Sequence, residues 1–377
     1  MIEVQERLAD TPVADLVRVN MTPGVGVKIL GRILERFGSL GRALAASPAA
    51  LRSVRGVGPA RMQALQRTGA EAAAGELRLA ARLGVEVLGY GQPGYPESLL
   101  GIDGAPLVLY VRGQLNPGAL RAALVGSRRA SPYGRRIARR LAAELAHSGV
   151  TVVSGLARGV DAEAHRGVLE AGGRTVAVLG CGLDRCYPRE HGELLLQCSR
   201  SGAVVSEFPL GTLPLPEHFP RRNRIIAGLS QATCVVAASK RSGSLTTAAW
   251  ALEQGREVLA VPHRLDDPGA PGVLQLLRDG AHPITGVRDI LAALGVDDAP
   301  DPTDRDRSGS QSSTRAASSR LSSVERTVYG TLTPDPTALD DIIEAARLPA
   351  ATVFGALLDL EQKQLVAAGP GQAFAVR

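Results

Sequence analysis

The chain has 377 residues, enough at roughly 100–200 residues per domain for two or three domains with real cores. It is 45% hydrophobic and 21% charged, with 43 Gly and 24 Pro spread without a fixed period, which excludes collagen-like and wholly disordered chains. Net charge is +6, and only three bases are Lys (Lys28, Lys240, Lys363) against 40 Arg, a usage that codon bias or phosphate binding would each produce. No charge-free apolar run approaches the ~18 residues that span a bilayer, and the start MIEVQERLAD is acidic where a signal peptide is basic, so a cytoplasmic protein without membrane contact is expected. Cys181, Cys186, Cys198 and Cys234 lack zinc-site spacing, and neither a disulfide nor a metal is expected.

Residues 1–85 read as helical throughout and carry a net +5. Two similar turns, Pro23-Gly24-Val25-Gly26 and Arg55-Gly56-Val57-Gly58-Pro59, lie 32 residues apart, each followed by an amphipathic stretch. Each looks like a helix-hairpin-helix turn, in which glycines let the backbone approach a DNA phosphate; a tight turn between packed helices with no ligand explains the same residues equally well.

Residues 86–296 carry a second net +5. From about 105 to 290, the apolar runs LVLYV, AALVGS, VTVVSG, TVAVLG, AVVSE, ATCVVAAS and EVLAVP alternate with helical stretches. Strands so continuously apolar are covered on both faces, and right-handed crossovers then give an α/β fold with a central doubly wound parallel, Rossmann-like sheet. Ligands of such sheets sit at the carboxyl ends of the strands. There the sequence places Ser127 and Arg128, Ser154 and Gly155, Gly180 and Gly182, Glu207, and Ser239 and Lys240.

Residues 297–319 pack six Ser into their last twelve positions and are nearly devoid of large apolar side chains, which predicts a flexible linker. Residues 320–377 carry a net −2. Capping-box-like starts at Ser322-Ser323-Val324-Glu325 and Thr337-Ala338-Leu339-Asp340, a third helix from about Pro349, and a hairpin turning at Gly369-Pro370-Gly371 give the order of a winged helix. Its third helix carries Asp359, Glu361 and Lys363 on an acidic module, so protein contact is at least as well supported as DNA contact.

Three stretches of the central segment could carry chemistry. In 126–141, Gly126, Ser127, Arg128 and Ser131 fall in a strand-to-helix turn that favours an anion, while Arg135, Arg136, Arg139 and Arg140 face outward from a buried stripe of Ile137, Leu141 and Leu145. The bland alternative is a solvated basic face. Ser154–Asp161 opens another helix, on which Asp161 and His165, four apart, are either an acid–base pair or a cap beside a core histidine, the second being the better supported. In Glu217–Arg224, Phe219 lies among three Arg and Asn223, the composition of a site that stacks a base and holds flanking phosphates; Arg224 could instead be tied to Glu207.

The segments GSRRASPYG, SGLARGVDAEAH, TVAVLGCGLDRCYP, SEFPLGTLPLPEHFPRRNRIIAGLS and SGSLTTAAWALEQGREVLAVP together resemble the DNA-processing protein A (DprA/Smf) family over roughly 90–285. The resemblance implies a non-catalytic protein that coats incoming single-stranded DNA in natural transformation, helps load the RecA recombinase, and forms a homodimer through its central domain. It needs no cofactor, and duplex DNA is a further candidate for the N-terminal segment. By matching motif, the DNA-binding residues would be Gly126, Ser127, Arg128, Ser131, Gly155, Arg158, Phe219, Arg222, Asn223, Lys240, Ser242, Gly243 and Ser244. The chain departs from the family pattern at Pro262-His263, in place of Pro-Gly, and at Gly272–Leu277, which lacks an Asn.

A rival reading comes from the lysine-decarboxylase-like phosphoribohydrolases, which resemble this architecture and cleave nucleotides. Their glycine-rich loop falls on Ser242–Trp250, with an indole where the catalytic carboxylate would stand. Ser154, His165 and Glu207 remain without the spacing of a nucleophile, base and orienting group.

Overall fold

The computed structural model describes residues 2–296, 321–332, 337–363, 365–369 and 373–376, so the expected linker 297–319 lies outside the described residues. The chain divides into two compact units, 1–299 and 300–377.

The first unit opens with seven short helices, α1 (Ile2–Ala9), α2 (Val13–Asn20), α3 (Val27–Phe37), α4 (Leu40–Ala45), α5 (Pro48–Arg52), α6 (Pro59–Arg67) and α7 (Ala70–Arg82). The two expected turns precede α3 and α6, with Gly24 and Gly56 at φ +76° and +94°, where a side chain would be strained. Each turn lies against the helix that follows the other. Arg32 of α3 donates to the Arg55 carbonyl at 3.0 Å, and a Cβ at Gly24 would sit 3.0 Å from Arg61 Nε of α6. Leu16, Leu30, Leu51 and Leu65 of these helices share one continuous core with the sheet that follows.

That sheet has nine strands: β1 (Glu86–Gly89), β2 (Val108–Gly113), β3 (Arg121–Gly126), β4 (Thr151–Ser154), β5 (Thr175–Val178), β6 (Ala203–Ser206), β7 (Ala232–Ala237), β8 (Glu257–Ala260) and β9 (His282–Pro283). Their order is β1-β2-β6-β5-β4-β3-β7-β8-β9. From β6 to β9 every pairing is parallel. LVLYV, read as one of the alternating βαβ strands, is instead β2, antiparallel to both β1 and β6. No helix lies between β2 and β3, so no crossover returns the chain to a parallel register there.

The two faces are filled as strand alternation requires. Ala122 and Leu124 of β3 join a core closed by α8 (Pro132–His147), α9 (Val160–Glu170) and α14 (Val287–Ala293). Ala123 and Val125 join the other, with α10 (Gly192–Ser201), α11 (His218–Leu229), α12 (Ser244–Glu253) and α13 (Ala270–Arg278). Helix α8 has the expected phase: Ala138, Leu141, Ala142 and Leu145 are buried, Ile137 is half-buried and its four arginines are exposed.

The second unit contains α15 (Ser323–Thr331), β10 (Thr337–Ala338), α16 (Leu339–Ala346), α17 (Ala350–Gln362), β11 (Val366–Gly369) and β12 (Ala373–Val376), with strands ordered β10-β12-β11. Ser322 and Glu325 form the expected capping box. The second expected box is absent. Thr337 lies in a strand pairing with Phe374, and Ala338 takes the N-cap position of α16 without a side-chain bond. The hairpin residues Pro370 and Gly371 lie outside the described residues.

Candidate functional site

The chain leaves β3 in one direction through β4, β5 and β6, then returns to add β7, β8 and β9 on the other side of β3. A doubly wound sheet opens a crevice where its order reverses. Here it is a cleft of about 700 Å³ at the carboxyl ends of the strands, lined by 125–129 at the end of β3, Ala157 and Asp161 after β4, Tyr187 after β5, parts of 214–226 at the start of α11, and Ser239, 241–244 and Thr247 after β7.

Its floor is a buried polar layer. Arg222, 3% exposed, donates to the carbonyls of Gly155, at 2.9 Å, and Val178. A Cβ at Gly155 would fall 2.5 Å from Arg222 Nη2 and 2.7 Å from Asp161 Oδ2, so glycine there lets the arginine lie beneath the turn. Burial pulls Arg222 down to about 10, with Asp161 opposing the drop. Burial raises the Asp161 carboxyl, against the Arg222 charge and the amides of Gly155 and Ala157 that it accepts from at 3.2 and 3.4 Å. Asn223 accepts from Arg222 Nε at 3.3 Å, and its Nδ2 donates to Gly243 O at 3.1 Å and Thr246 Oγ1 at 2.7 Å, which ties the floor to the Ser242–Ser244 turn. Two residues beyond Arg222 on α11 and away from the cleft lining, Arg224 holds Glu207 through two bonds of 2.6 and 2.7 Å, and Arg221 adds a third at 2.7 Å. Burial raises Glu207, but Arg224 and then Arg221 outweigh it and keep its pKa below the usual value.

The rim carries the accessible charge. Arg128 lies over the Phe219 ring, guanidinium carbon to centroid 5.1 Å, and Tyr187 touches that ring at 5.3 Å between centroids. Arg129 and Arg241 also line the cleft. Arg128, Arg129 and Arg241 are all exposed, and none has a carboxylate partner among the described residues. Ser127 Oγ accepts from the Arg129 amide at 3.1 Å, fixing the turn that bears both arginines.

The structure brings nine of the expected residues to the cleft: Gly126, Ser127, Arg128, Phe219, Arg222, Asn223, Ser242, Gly243 and Ser244. Four others stand apart from its lining. Ser131 caps α8 through Gly134 N at 3.2 Å and donates to Asp267 at 2.8 Å. Gly155 lies below the surface against Arg222, Arg158 turns to Glu190 at 2.5 Å, and Lys240 is exposed between the lining residues Ser239 and Arg241. The outward arginines of α8 are largely engaged, Arg139 by Glu163 and Glu170 and Arg140 by Glu144. Sequence reasoning passed over Tyr187 and Arg241; Arg241 closely follows the carboxyl end of β7, the position that had singled out its neighbours, whereas Tyr187 lies well beyond β5, where no such signal marks it.

The polar residues considered for catalysis are dispersed. Ser154 is buried and donates to Leu124 O at 2.6 Å. Asp161 and His165 do not pair: His165 shares a 2.7 Å bond with Thr175, and burial depresses its pKa to about 3. The four cysteines are free thiols, and no cluster of three or more metal-ligating side chains occurs among the described residues. No described helix is long and apolar enough to cross a membrane.

Comparison with known proteins gives one consistent result. The family model described as DNA recombination-mediator protein A matches residues 86–295, and that of a DprA winged helix domain matches 312–372. Protein Smf of Synechocystis is 35% identical over 93% of this chain and 95% of its own. Protein Smf of Escherichia coli is 42% identical over 74% of each. Among solved structures, DNA processing protein A of Streptococcus pneumoniae aligns with TM-score 0.64 at 31% identity, over 74% of this chain and 97% of that one. The Helicobacter pylori protein, described for its single-stranded DNA binding mode, aligns with TM-score 0.51 at 28% identity, over 56% and 95%.

Proposed function

Because the chain belongs to the DNA recombination-mediator protein A (DprA/Smf) family, we propose that its cleft binds single-stranded DNA with little sequence preference and that the coated strand passes to a RecA-type recombinase. The observation that carries this reading is the concentration, in one concavity, of three exposed arginines without carboxylate partners among the described residues, beside two contacting aromatic rings. Cations hold a backbone of any sequence and rings accept any base.

The proposal includes no catalysed reaction. Trp250 stands where a phosphoribohydrolase would need its carboxylate, and Ser154, His165 and Glu207 are each bonded to separate structural partners. It also takes from the family a cytoplasmic homodimer joined through the central domain, transformation as the setting, and an N-terminal helical region whose positive charge suits duplex DNA. The domain division 1–85, 86–296 and 320–377 about a linker at 297–319 is part of the same proposal, as is the assignment of Ser131, Gly155, Arg158 and Lys240 to the site as supporting residues.

Titration of the full chain against labelled single- and double-stranded oligonucleotides at several salt concentrations tests the reading. Single-strand affinity is expected to fall with a log–log slope of ~0.7 per phosphate contact. A flat salt dependence, or tight binding of only one short sequence, overturns it.

A further inference from the structure

We infer that Tyr187 is a second base-stacking residue of the cleft, set beside Phe219 so that two consecutive bases of a strand rest on adjacent rings. The inference rests on the reading of the cleft as a single-strand site. Phe219, the ring that the sequence singles out, is largely engaged: a Cβ at Gly180 would lie 3.0 Å from it, and the Arg128 guanidinium stands over it. A base reaching Phe219 must displace Arg128 or stack on its guanidinium plane.

Tyr187 has no such cover. At 39% exposure it is the most exposed of the six tyrosines, while Tyr90, Tyr95 and Tyr110 are buried. Its ring meets Phe219 with 42° between the planes, so the two rings form a step rather than a stack. Its hydroxyl makes no hydrogen bond among the described residues, and its charged neighbour Arg158 is already held by Glu190. Pro214 and Pro216 line the same cleft and continue the apolar surface, while Arg128, Arg129 and Arg241 supply phosphate partners within one concavity. An aromatic face left open to water beside exposed cations is the arrangement that accepts unstacked bases irrespective of sequence.

The test measures binding of the full chain to an oligothymidylate of about 20 nucleotides, and to the same backbone carrying abasic sites, for wild type, Tyr187→Leu and Tyr187→Phe. Tyr187→Leu is expected to weaken binding of the normal strand roughly ten-fold and Tyr187→Phe by less than about two-fold, with the salt slope unchanged in both. On the abasic strand the three proteins should bind alike. Equal affinity of wild type and Tyr187→Leu for the normal strand overturns the inference while leaving the single-strand reading intact, as does an equal loss on both strands. Failure of the wild type to bind any single strand overturns the reading itself. Should Tyr187→Leu melt early, the wild type still decides: if it binds abasic and normal strands equally, no base is stacked.

Discussion

Arginine serves opposite purposes in the buried layer of α11 and at the rim of the cleft. Arg222 and Arg224 are buried, aimed at carbonyls and carboxylates, and surrounded by atoms that a moving ligand would have to break apart. Arg128, Arg129 and Arg241 are exposed and have no carboxylate partner among the described residues. A buried guanidinium that has satisfied its donors stabilises a shape, whereas an exposed one without a counterion is available to a phosphate. Composition hides the difference, since Arg222 and Arg224 stand in an arginine-rich run just as Arg128 and Arg129 do.

The sharpest way to break this contrast is at Glu207. Removing its charge leaves Arg224 buried without its counterion, a change that costs roughly 3–5 kcal/mol in such pairs, so Glu207→Gln should lower thermal and urea stability before any effect on DNA is considered. Glu207 has a folded pKa below its unfolded one, so its stabilisation is complete above the unfolded value near 4.5 and is lost as pH falls through the folded value. Glu207→Gln should accordingly flatten the acid limb of the stability–pH curve. A variant as stable as wild type at neutral pH would show that the pair of Glu207 and Arg224 does not hold the fold together.

The rim is expected to behave in the reverse sense. The triple substitution Arg128→Ala, Arg129→Ala and Arg241→Ala should leave the melting temperature close to wild type, weaken single-strand binding on the order of 100-fold, and lower the salt slope by about 2. Loss of a cooperative melt with an unchanged slope would show that these arginines belong to the fold.

Much of this was legible beforehand because it is local. The 3.6-residue period of α8 fixes its buried stripe from Ala138 to Leu145, continuous apolar runs mark the parallel strands, and the turns after β3 and β7 stand out by composition. What stayed hidden depends on long-range packing. The direction of β2 follows from a missing crossover rather than from LVLYV itself, and the two-residue β10 is too short to leave a pattern, so Thr337 read as a cap. Whether Arg222 points inward or outward is decided by Gly155 and Asp161, more than 60 residues away, and Arg158 by Glu190. The ion pair between Arg224 and Glu207 was foreseeable because opposite charges flanked one loop; the exposure of Tyr187 was not, since nothing in CYP distinguishes a covered ring from an open one.

The smallest expected effect concerns the acidic C-terminal unit, and it asks whether the rim needs help from outside the cleft. On α17, the last described helix of that unit, Phe354 and Leu358 lie one turn apart and are 46% and 45% exposed, with Asp359 exposed beside them. Lys363, just past the helix end, is held by Glu325 at 2.6 Å. A helix that reads DNA presents cations to phosphates, and this one presents an apolar stripe edged by acid, which suits a protein surface better. A chain ending at Val296 retains the whole first-unit core, the floor and the rim, and should bind short single strands within about two-fold of the full chain at one fixed salt, with the same slope. A large loss would make the C-terminal unit a direct DNA contact and would mean that the rim arginines alone do not account for affinity. A clear gain would instead show that the acidic unit competes with DNA for the cleft, in keeping with its net charge of −2 against the net +5 of residues 86–296.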